Sequence, residues 1–218
     1  MARQFRTFED RESWLAGRQQ STGSSEIAAV IGISPWISNT GLWEIKTGRR
    51  EPKDMSGNEL VRYGTKAEEH IRNLFALDFP EYRVMYVPDN MWTNESIPHG
   101  HASLDLWMTD SRDRFGVGEI KTVTPQNRAA WEKWDDRIPG YYHAQLLWEM
   151  AITEADFGVL IAQFKREWDG DLIKTTRHYF LERDASVERD IAYLIEENTK
   201  FWQAVEEDKA PPAKLPEI

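Results

Sequence analysis

The sequence predicts an α/β (α+β) fold, and three features support this prediction. Residues 102–121 contain two strand-like segments joined by the polar stretch T-D-S-R-D-R, which is typical of a β-hairpin. Residues 157–164 form a continuous apolar run, which favours a strand in the middle of a sheet. Residues 58–79 and 186–208 carry apolar side chains at helical spacing. Strands and helices therefore both contribute to the predicted core.

The composition of the 218-residue chain is that of a folded protein without disulfides. A hydrophobic content of 40% and ten tryptophans exclude general disorder. The absence of cysteine excludes disulfides and thiolate metal sites. No apolar run approaches the length that spans a bilayer, and the charged N-terminal segment is unlike a signal peptide. We therefore expect a cytoplasmic protein with no membrane partner.

The formal net charge of −10 disfavours nucleic acid as a partner without excluding it. Affinity for phosphate depends on where the positive charges lie, so an acidic exterior can coexist with a basic groove. Residues 3–50 are locally basic, because their lysines and arginines outnumber their aspartates and glutamates. The charge distribution thus leaves a phosphate-binding N-terminal part open.

The hairpin carries the charged residues that point most directly to chemistry. We predict Asp105 inside its first strand, A-S-L-D-L-W-M, and Glu119 and Lys121 inside its second. Because side chains alternate along a strand, Glu119 and Lys121 share one face and Ile120 takes the other. Antiparallel pairing can bring Asp105 onto the face of Glu119, where two carboxylates could bind a divalent cation beside the ammonium. From these residues alone, a solvated hairpin is the alternative.

The first fifty residues are predicted to contain three short helices. Their spans are 9–16, 24–32 and 40–48. Ser24 or Ser25 is expected to be the N-cap of the second helix, and Gly32 its stop. Free N–H groups at this helix N-terminus, beside hydroxyls and Arg18, would form a natural phosphate site. Plain capping of a short helix is the alternative.

The helix predicted at 58–79 contains an interior glycine, Gly64, and an acidic residue one turn later, Glu68. An interior glycine costs about 1 kcal/mol relative to alanine, which indicates close packing at that point. Glu68 would be a third carboxylate ligand if it faced the hairpin. Otherwise it is a surface residue in a charged run with Glu69.

The middle of the chain predicts two strands, a loop and two helices. Tyr82–Val87 and Met91–Thr93 are expected to be strands around the turn P-D-N, and Thr124 is the expected N-cap of a helix. In the following helix, Tyr141 and Gln145 are four residues apart and share a face. Gln145 therefore lies either in an active-site cleft or at the polar edge of a half-buried helix.

Two further features lie outside this core. His99 and His101 lack a third nitrogen or a thiolate partner, so they make a poor zinc site, and we favour a role in the loop. Residues 175–183 are predicted to be a strand, followed by the C-terminal helix. The proline-rich tail, residues 209–218, is expected to be mobile or to face a partner.

Several motifs occur in an order that resembles one family of nucleases. They are W-L-A-G-R, G-S-S-E-I-A-A-V-I-G-I-S-P-W, L-W-E-I-K-T-G, R-Y-G-T-K-A-E-E, H-A-S-L-D, G-E-I-K-T and Y-Y-H-A-Q-L-L-W-E-M. Each motif alone is weak, but their order between Trp14 and Phe164 is specific. The chain resembles the phage-type alkaline exonucleases, which include lambda exonuclease and the YqaJ viral recombinases.

The resemblance implies a fold and an activity. The family has a restriction-endonuclease-like core, a mixed central β-sheet flanked by α-helices, within the PD-(D/E)XK superfamily. We therefore expect one domain over residues 1–218, with a 5′-phosphate-binding part at 1–57, a nuclease core at 58–181 and a C-terminal helix and tail at 182–218. The implied activity is Mg²⁺-dependent 5′→3′ degradation of one strand of linear duplex DNA, which releases mononucleotides and leaves a 3′ overhang.

The resemblance also implies cofactors, partners and location. Two Mg²⁺ ions are expected, and Mn²⁺ is expected to substitute for them. Characterised relatives form ring-shaped homotrimers around the duplex and pass the emerging strand to a single-strand annealing protein. Such a protein would work in the cytoplasm of a bacterium or of a phage-infected host.

The matching motif positions imply a metal site and a catalytic lysine. Asp105 would bridge the metal and the scissile phosphate, while Glu119, Glu68 and the backbone carbonyl of Ile120 would complete the metal ligands. Lys121 would orient or deprotonate the attacking water.

Three further residues are assigned by the same resemblance. Gln145 would support the catalytic site, and Arg18 and Ser25 would hold the terminal 5′-phosphate. The chain departs from the family at one point, since many members have Pro-Asp-Gly where it has Leu104-Asp105-Leu106. The aspartate keeps its role, but the local turn can differ.

Two other functions remain open from the sequence. The same fold could serve an endonuclease or a repair nuclease of different polarity. A non-catalytic protein that binds DNA ends or a recombination partner is the other alternative, although the filled catalytic positions argue against it.

Overall fold

The computed structural model describes residues 3–55, 57–135 and 137–214. The strands are β1 (Arg3–Thr7), β2 (Thr22–Gly23), β3 (Arg83–Met85), β4 (Asn90–Asn94), β5 (Gly100–Ala102), β6 (Leu106–Thr109), β7 (Phe115–Val123), β8 (Phe157–Trp168) and β9 (Asp171–Glu182). The helices are α1 (Arg11–Gln19), α2 (Ile27–Val30), α3 (Asn39–Lys46), α4 (Glu59–Asp78), α5 (Arg128–Glu132), α6 (Gly140–Thr153) and α7 (Ala185–Glu206). No helix among these residues is both long and apolar enough to cross a bilayer.

Two sheets organise the chain. A five-stranded sheet has the order β3-β6-β7-β8-β9, in which β7 and β8 are parallel and the other neighbours are antiparallel. A smaller four-stranded sheet has the order β1-β4-β5-β2. The predicted mixed central sheet is therefore confirmed, with β7 at its centre.

Helices cover both faces of the five-stranded sheet. On one face, Ile71 and Phe75 of α4 pack against the sheet residues Leu106, Met108, Ile120, Val159 and Ile161. On the other face, α6 and α7 bury a larger apolar core that includes Trp148 and Val117. Because Val117 and Ile120 belong to opposite cores, the alternation along β7 directs Glu119 and Lys121 towards the face covered by α6.

The predicted hairpin is confirmed as β6–β7, but Asp105 lies outside both strands. Leu106 pairs with Gly118, and Asp105 occupies the bend that precedes Leu106. At this bend the chain crosses from β5 in the small sheet to β6 in the central sheet. The predicted strand A-S-L-D-L-W-M is therefore two strands in different sheets.

The prediction that two strands flank the P-D-N turn is correct, but the strands do not pair with each other. β3 joins the central sheet, whereas β4 joins the small one. The side chain of Asn90, at the start of β4, donates to the carbonyl of Leu104 and accepts from its N–H, both at 2.9 Å. These bonds hold the crossing segment against the start of β4.

Several helix boundaries differ from the predictions. Helix α1 runs past Gly17 to Gln19. A 3₁₀ turn, Ser24–Glu26, precedes α2, and Glu26 turns back to accept from the N–H of Gly23 at 2.8 Å, so neither serine is the N-cap. Strand β7 continues to Val123 because it pairs with β8 to its end, and Asn127 rather than Thr124 caps α5.

The tail is predicted to be mobile or to face a partner, but its described part is packed against the protein rather than mobile. The amide of Asn39 donates to the carbonyl of Pro212 at 2.8 Å and accepts from the N–H of Lys214 at 3.0 Å. The ammonium of Lys214 donates to the carbonyl of Val30 at 2.9 Å and pairs with Glu197. Residues 215–218 of the predicted mobile tail lie outside the described residues.

Candidate active site

Asp105 is fixed by its own carboxylate and by its neighbours. Its Oδ2 accepts a 2.8 Å hydrogen bond from the N–H of Ile120 on β7. Its backbone carbonyl accepts from the guanidinium of Arg72 at 2.6 Å, and the preceding residue, Leu104, is held by Asn90. The β6–β7 ladder ends at the Leu106–Gly118 pair, and Asp105 lies one residue beyond it, within range of the charge of Glu119.

Glu119 and Lys121 form a close ion pair on β7. The Nζ of Lys121 lies 2.5 Å from Oε1 of Glu119, and Glu119 is only 4% exposed. The ammonium also lies 4.8 Å from the ring centroid of Tyr142 on α6. Glu119 and Lys121 thus share one face of β7, as predicted, and this face is the one that α6 covers.

Burial and neighbouring charges shift the pKa values of the ionisable groups in this cluster. Burial, reinforced by Glu119 and Glu68, raises the pKa of Asp105 well above its ordinary value. Burial and Glu119 also raise the pKa of Glu68 to about 6. Burial alone would lower the pKa of Lys121, but the charges of Glu119 and Asp105 outweigh it and raise that pKa. The three carboxylates therefore belong to one electrostatic site.

Asp105, Glu119 and Glu68 are the carboxylates that could hold a divalent cation. Within the described ranges, no three carboxylate or imidazole groups are gathered closely enough to enclose an ion by themselves. However, Asp105, Glu119 and Glu68 repel one another, and a divalent cation would relieve this repulsion. Carboxylate and carbonyl oxygens are the hard donors that Mg²⁺ prefers, so the predicted set with the carbonyl of Ile120 suits such an ion in its chemistry.

Gln145 lies beside an acidic residue that the sequence analysis missed. Gln145 is 7% exposed, and its amide donates to Oε1 of Glu149 at 3.2 Å. Glu149 is fully buried, and its Oε2 has no hydrogen-bond partner among the described residues. Burial, followed by the charges of Glu119 and Asp105, raises the pKa of Glu149. Its signal in the sequence is a glutamate four residues after Gln145 in an otherwise apolar helix.

The structure brings Arg18 and Ser25 together, as predicted. The guanidinium of Arg18 donates to Oγ of Ser25 at 3.4 Å. Burial lowers the pKa of Arg18, and the charges of Glu26 and Glu119 oppose this effect. Since Glu119 acts on Arg18, the arginine lies within electrostatic range of the acidic cluster.

Lys46 supports the arginine and was not identified from the sequence. Its side chain is 1% exposed, and its Nζ lies 2.8 Å from Oε2 of Glu26. The same ammonium donates to the backbone carbonyls of Arg18 at 3.0 Å and Ser21 at 2.9 Å. Lys46 therefore ties the end of α1 to the 3₁₀ turn that carries Ser25.

The two histidines have separate environments. His101 is fully buried, its Nδ1 lies 2.7 Å from Oγ of Ser21, and burial followed by the charge of Arg18 lowers its pKa to about 2. His99 stacks on Trp202 at 4.7 Å, and its Nε2 lies 3.1 Å from a carboxylate oxygen of Glu206. These partners give each histidine a structural role.

A cleft of about 380 Å³ opens beside the acidic cluster. Its lining includes Glu68, Lys121 and Tyr142, together with the first half of α4. Trp36 stands at this cleft with 64% of its surface exposed, and its ring lies edge-on to Tyr141 at 5.1 Å. An exposed aromatic ring next to charged groups is suited to stacking on a ligand.

The mixed sheet, its flanking helices and the Asp/Glu-x-Lys cluster define the restriction-endonuclease-like nuclease fold, as predicted. The sequence profile of the YqaJ-like viral recombinase domain matches residues 13–156. The chain belongs to this family, which confirms the resemblance identified from its motifs. A search of curated proteins gives no significant match.

Solved structures share this fold. An alkaline exonuclease from Laribacter hongkongensis, LHK-Exo, is 21% identical over 90% of this chain and 93% of its own, with a TM-score of 0.64. Its complex with dAMP gives a TM-score of 0.65 at 22% identity, with the same coverage. A phage-related exonuclease from Haemophilus somnus 129PT is 14% identical over 87% of this chain and 96% of its own, with a TM-score of 0.56.

Proposed function

We propose that this chain is a metal-dependent 5′→3′ exodeoxyribonuclease that acts on the ends of linear duplex DNA. The observation that supports this most is the close Glu119–Lys121 ion pair beside Asp105, which is held against β7 by the N–H of Ile120. The cluster is built for phosphodiester hydrolysis, and the Arg18–Ser25 pair offers donors for a phosphate. A nuclease that starts at a DNA end needs both a hydrolytic centre and a site that holds the terminal phosphate.

The residues divide the reaction between them. Hydrolysis adds the oxygen of water to phosphorus and breaks the bond between phosphorus and the leaving 3′-oxygen. That oxygen takes up a proton, either from the attacking water or through solvent. A bound divalent cation would supply Lewis-acid stabilisation of the phosphate charge. Lys121 orients the attacking water through its ammonium, while the N–H of Ile120 holds Asp105 towards the phosphate. Gln145 supports the site from α6 through Glu149.

The phosphate site would set the polarity. A guanidinium matches the oxygens of a phosphate with several N–H donors, and the hydroxyl of Ser25 adds another. Because a terminal phosphate carries more charge than an internal one, a 5′-phosphorylated end would be preferred. Successive removal of nucleotides from that end would leave a 3′ overhang.

The names of the related proteins support the proposed nuclease activity. The family is described as viral recombinases, and two structures with this fold are described as exonucleases. The Laribacter enzyme has been solved with dAMP, which is the kind of mononucleotide that we propose as product. We further propose Mg²⁺ as the cation with Mn²⁺ as a substitute, a homotrimer, a single-strand annealing partner and a cytoplasmic site of action.

One experiment tests this function directly. A linear duplex with a 5′-phosphate on one strand, and a circular duplex as control, are incubated with the protein and Mg²⁺ or with EDTA. We expect mononucleotides only from the phosphorylated strand of the linear substrate, and only in the reaction that contains Mg²⁺. Cleavage of the circle would identify an endonuclease instead, and retention of intact DNA under both conditions would overturn the proposal.

A further inference from the structure

A second groove lies on the opposite side of α4 from the cleft. It has a volume of about 540 Å³, and its lining contains basic and aromatic side chains of α4 together with residues of β8 and β9. Its polar and charged lining includes Arg62, Tyr63, Lys66, Gln163 and Lys174. We call it the basic groove.

The cations of the basic groove have no ion-pair partner among the described residues. Arg62, Lys66 and Lys174 line the groove, Lys165 lies beside it against Tyr63, and none of the four pairs with a carboxylate in the described part of the chain. Glu59 is the only acidic residue among the described lining residues. This concentration of unpaired cations contrasts with the net charge of −10 for the whole chain. It marks a local site for an anion.

Two of the lysines are held next to each other by the sheet. Lys165 on β8 pairs directly with Lys174 on β9, and both extend over the ring of Tyr63, with Nζ at 4.3 and 5.7 Å from its centroid. Like charges directly opposite on antiparallel strands destabilise a sheet. An arrangement of this kind is favourable when a polyanion binds across both ammonium groups.

The basic groove adjoins the catalytic strand. The hydroxyl of Tyr63 donates to Oε1 of Gln163 at 3.0 Å, and Gln163 pairs with Thr122, the residue after Lys121. Helical spacing places Arg62 and Lys66 on the face of α4 opposite to Glu68. The first half of α4 therefore stands between the cleft and the basic groove.

We propose that the basic groove binds the phosphate backbone of the DNA strand that is not hydrolysed. This inference rests on the proposed function, since it assumes that the hydrolysed strand enters the cleft. The cleft opens beside the acidic cluster, where it would take the hydrolysed strand, whereas the groove across α4 offers cations to the other strand. Phosphates are the anions that a DNA end presents at both places, and their contacts with lysine and arginine depend strongly on salt.

The test uses two exposed side chains, one on each wall of the groove. The variant Lys66→Ala/Lys174→Ala is compared with Lys66→Arg/Lys174→Arg, which keeps the charge. The remote control is Lys200→Ala/Lys209→Ala, which removes two exposed lysines from α7 and the tail, on the other face of the sheet. Binding is measured without metal, on a duplex whose recessed end resists hydrolysis through phosphorothioate linkages, at several salt concentrations.

The expected result is a shallower salt dependence in the alanine variant alone. Loss of two phosphate contacts should reduce the slope of log K against log salt by about 1.4 to 1.8. With Mg²⁺, hydrolysis of a single-stranded 5′-phosphorylated oligonucleotide should stay unchanged, whereas hydrolysis of the duplex should fall.

Other outcomes separate the two proposals. An unchanged salt slope, an equal change in the remote control, or an equal loss of activity on single-stranded DNA would overturn the role of the basic groove. Absence of Mg²⁺-dependent hydrolysis by the unmodified protein would instead overturn the proposed function, while the metal-free binding measurement would still report on the groove.

Discussion

The backbone N–H of Ile120 donates a 2.8 Å hydrogen bond to Oδ2 of Asp105. This single bond joins the bend before β6 to the strand that carries Glu119 and Lys121. It occupies one carboxylate oxygen of Asp105 and leaves the other free to act on a ligand. The geometry of the candidate site thus depends on a backbone donor that side-chain substitution cannot remove.

Replacing Lys121 should separate catalysis from binding. We expect Lys121→Ala to lower nucleotide release by about 10²- to 10⁴-fold, the range for loss of a positioned acid–base group, while the affinity for DNA persists. Release of acid-soluble nucleotides and a binding isotherm on the same duplex measure the two effects. Activity close to that of the unmodified protein would show that another group orients the water.

Replacing Arg18 should change the preference between DNA ends. We expect Arg18→Ala to hydrolyse 5′-phosphorylated and 5′-hydroxyl duplexes at similar rates, because the guanidinium that would hold the phosphate is gone. Paired rates on the two substrates measure the preference. Arg49→Ala, which removes a surface arginine paired with Asp208, is the matched control and should keep the preference. An unchanged preference in Arg18→Ala would place the phosphate elsewhere.

Glu149 should make the metal-free protein less stable as the pH rises. Its folded pKa is raised by burial, so its stabilising contribution is complete below the ordinary value of 4.5 and is lost as the pH rises through the folded pKa. Within that window the loss approaches about 1.4 kcal/mol per pH unit. We expect Glu149→Gln to gain unfolding free energy relative to the unmodified protein as the pH increases.

Urea unfolding in EDTA at several pH values measures this difference. Glu69→Gln serves as the control, since Glu69 is an exposed residue of α4. A constant difference between Glu149→Gln and the unmodified protein at all pH values would contradict the assigned cause.

Trp36 should bind the substrate by stacking. It is 64% exposed at the cleft, and Tyr141 supports its ring at 5.1 Å. Loss of one base–aromatic stack costs about 1–3 kcal/mol, so Trp36→Ala should raise KM roughly 5- to 160-fold with little change in kcat. Trp36→Phe should retain most of the affinity. KM and kcat are measured by steady-state kinetics. Equal KM values for the unmodified protein, Trp36→Ala and Trp36→Phe would count against stacking.

The local patterns predicted much of the fold. The β6–β7 hairpin, α4, α6, β8, β9 and α7 follow from periodicity and turn composition, which act over neighbouring residues. The errors occur at places where distant contacts override the local signal. Asn90 binds the segment where the predicted strand around Asp105 passes from one sheet to the other, and Asn39 binds a tail that composition alone describes as mobile.

The same distinction applies to the candidate site. Strand alternation predicts that Glu119 and Lys121 share a face, and their ion pair confirms it. Glu149 was missed because a buried carboxylate in an apolar helix has little local signal. Lys46 was missed because its partner, Glu26, is twenty residues away in the chain.

The sequence by itself determined the hairpin and the shared face of Glu119 and Lys121, because a period of two residues and a short turn leave little freedom. The order of its motifs indicated the family. The tertiary structure alone decided which carboxylates act on one another, how Arg18 is supported and that α4 separates an acidic cleft from a basic groove. These features depend on contacts between segments far apart in the chain, and local periodicity carries no information about such contacts.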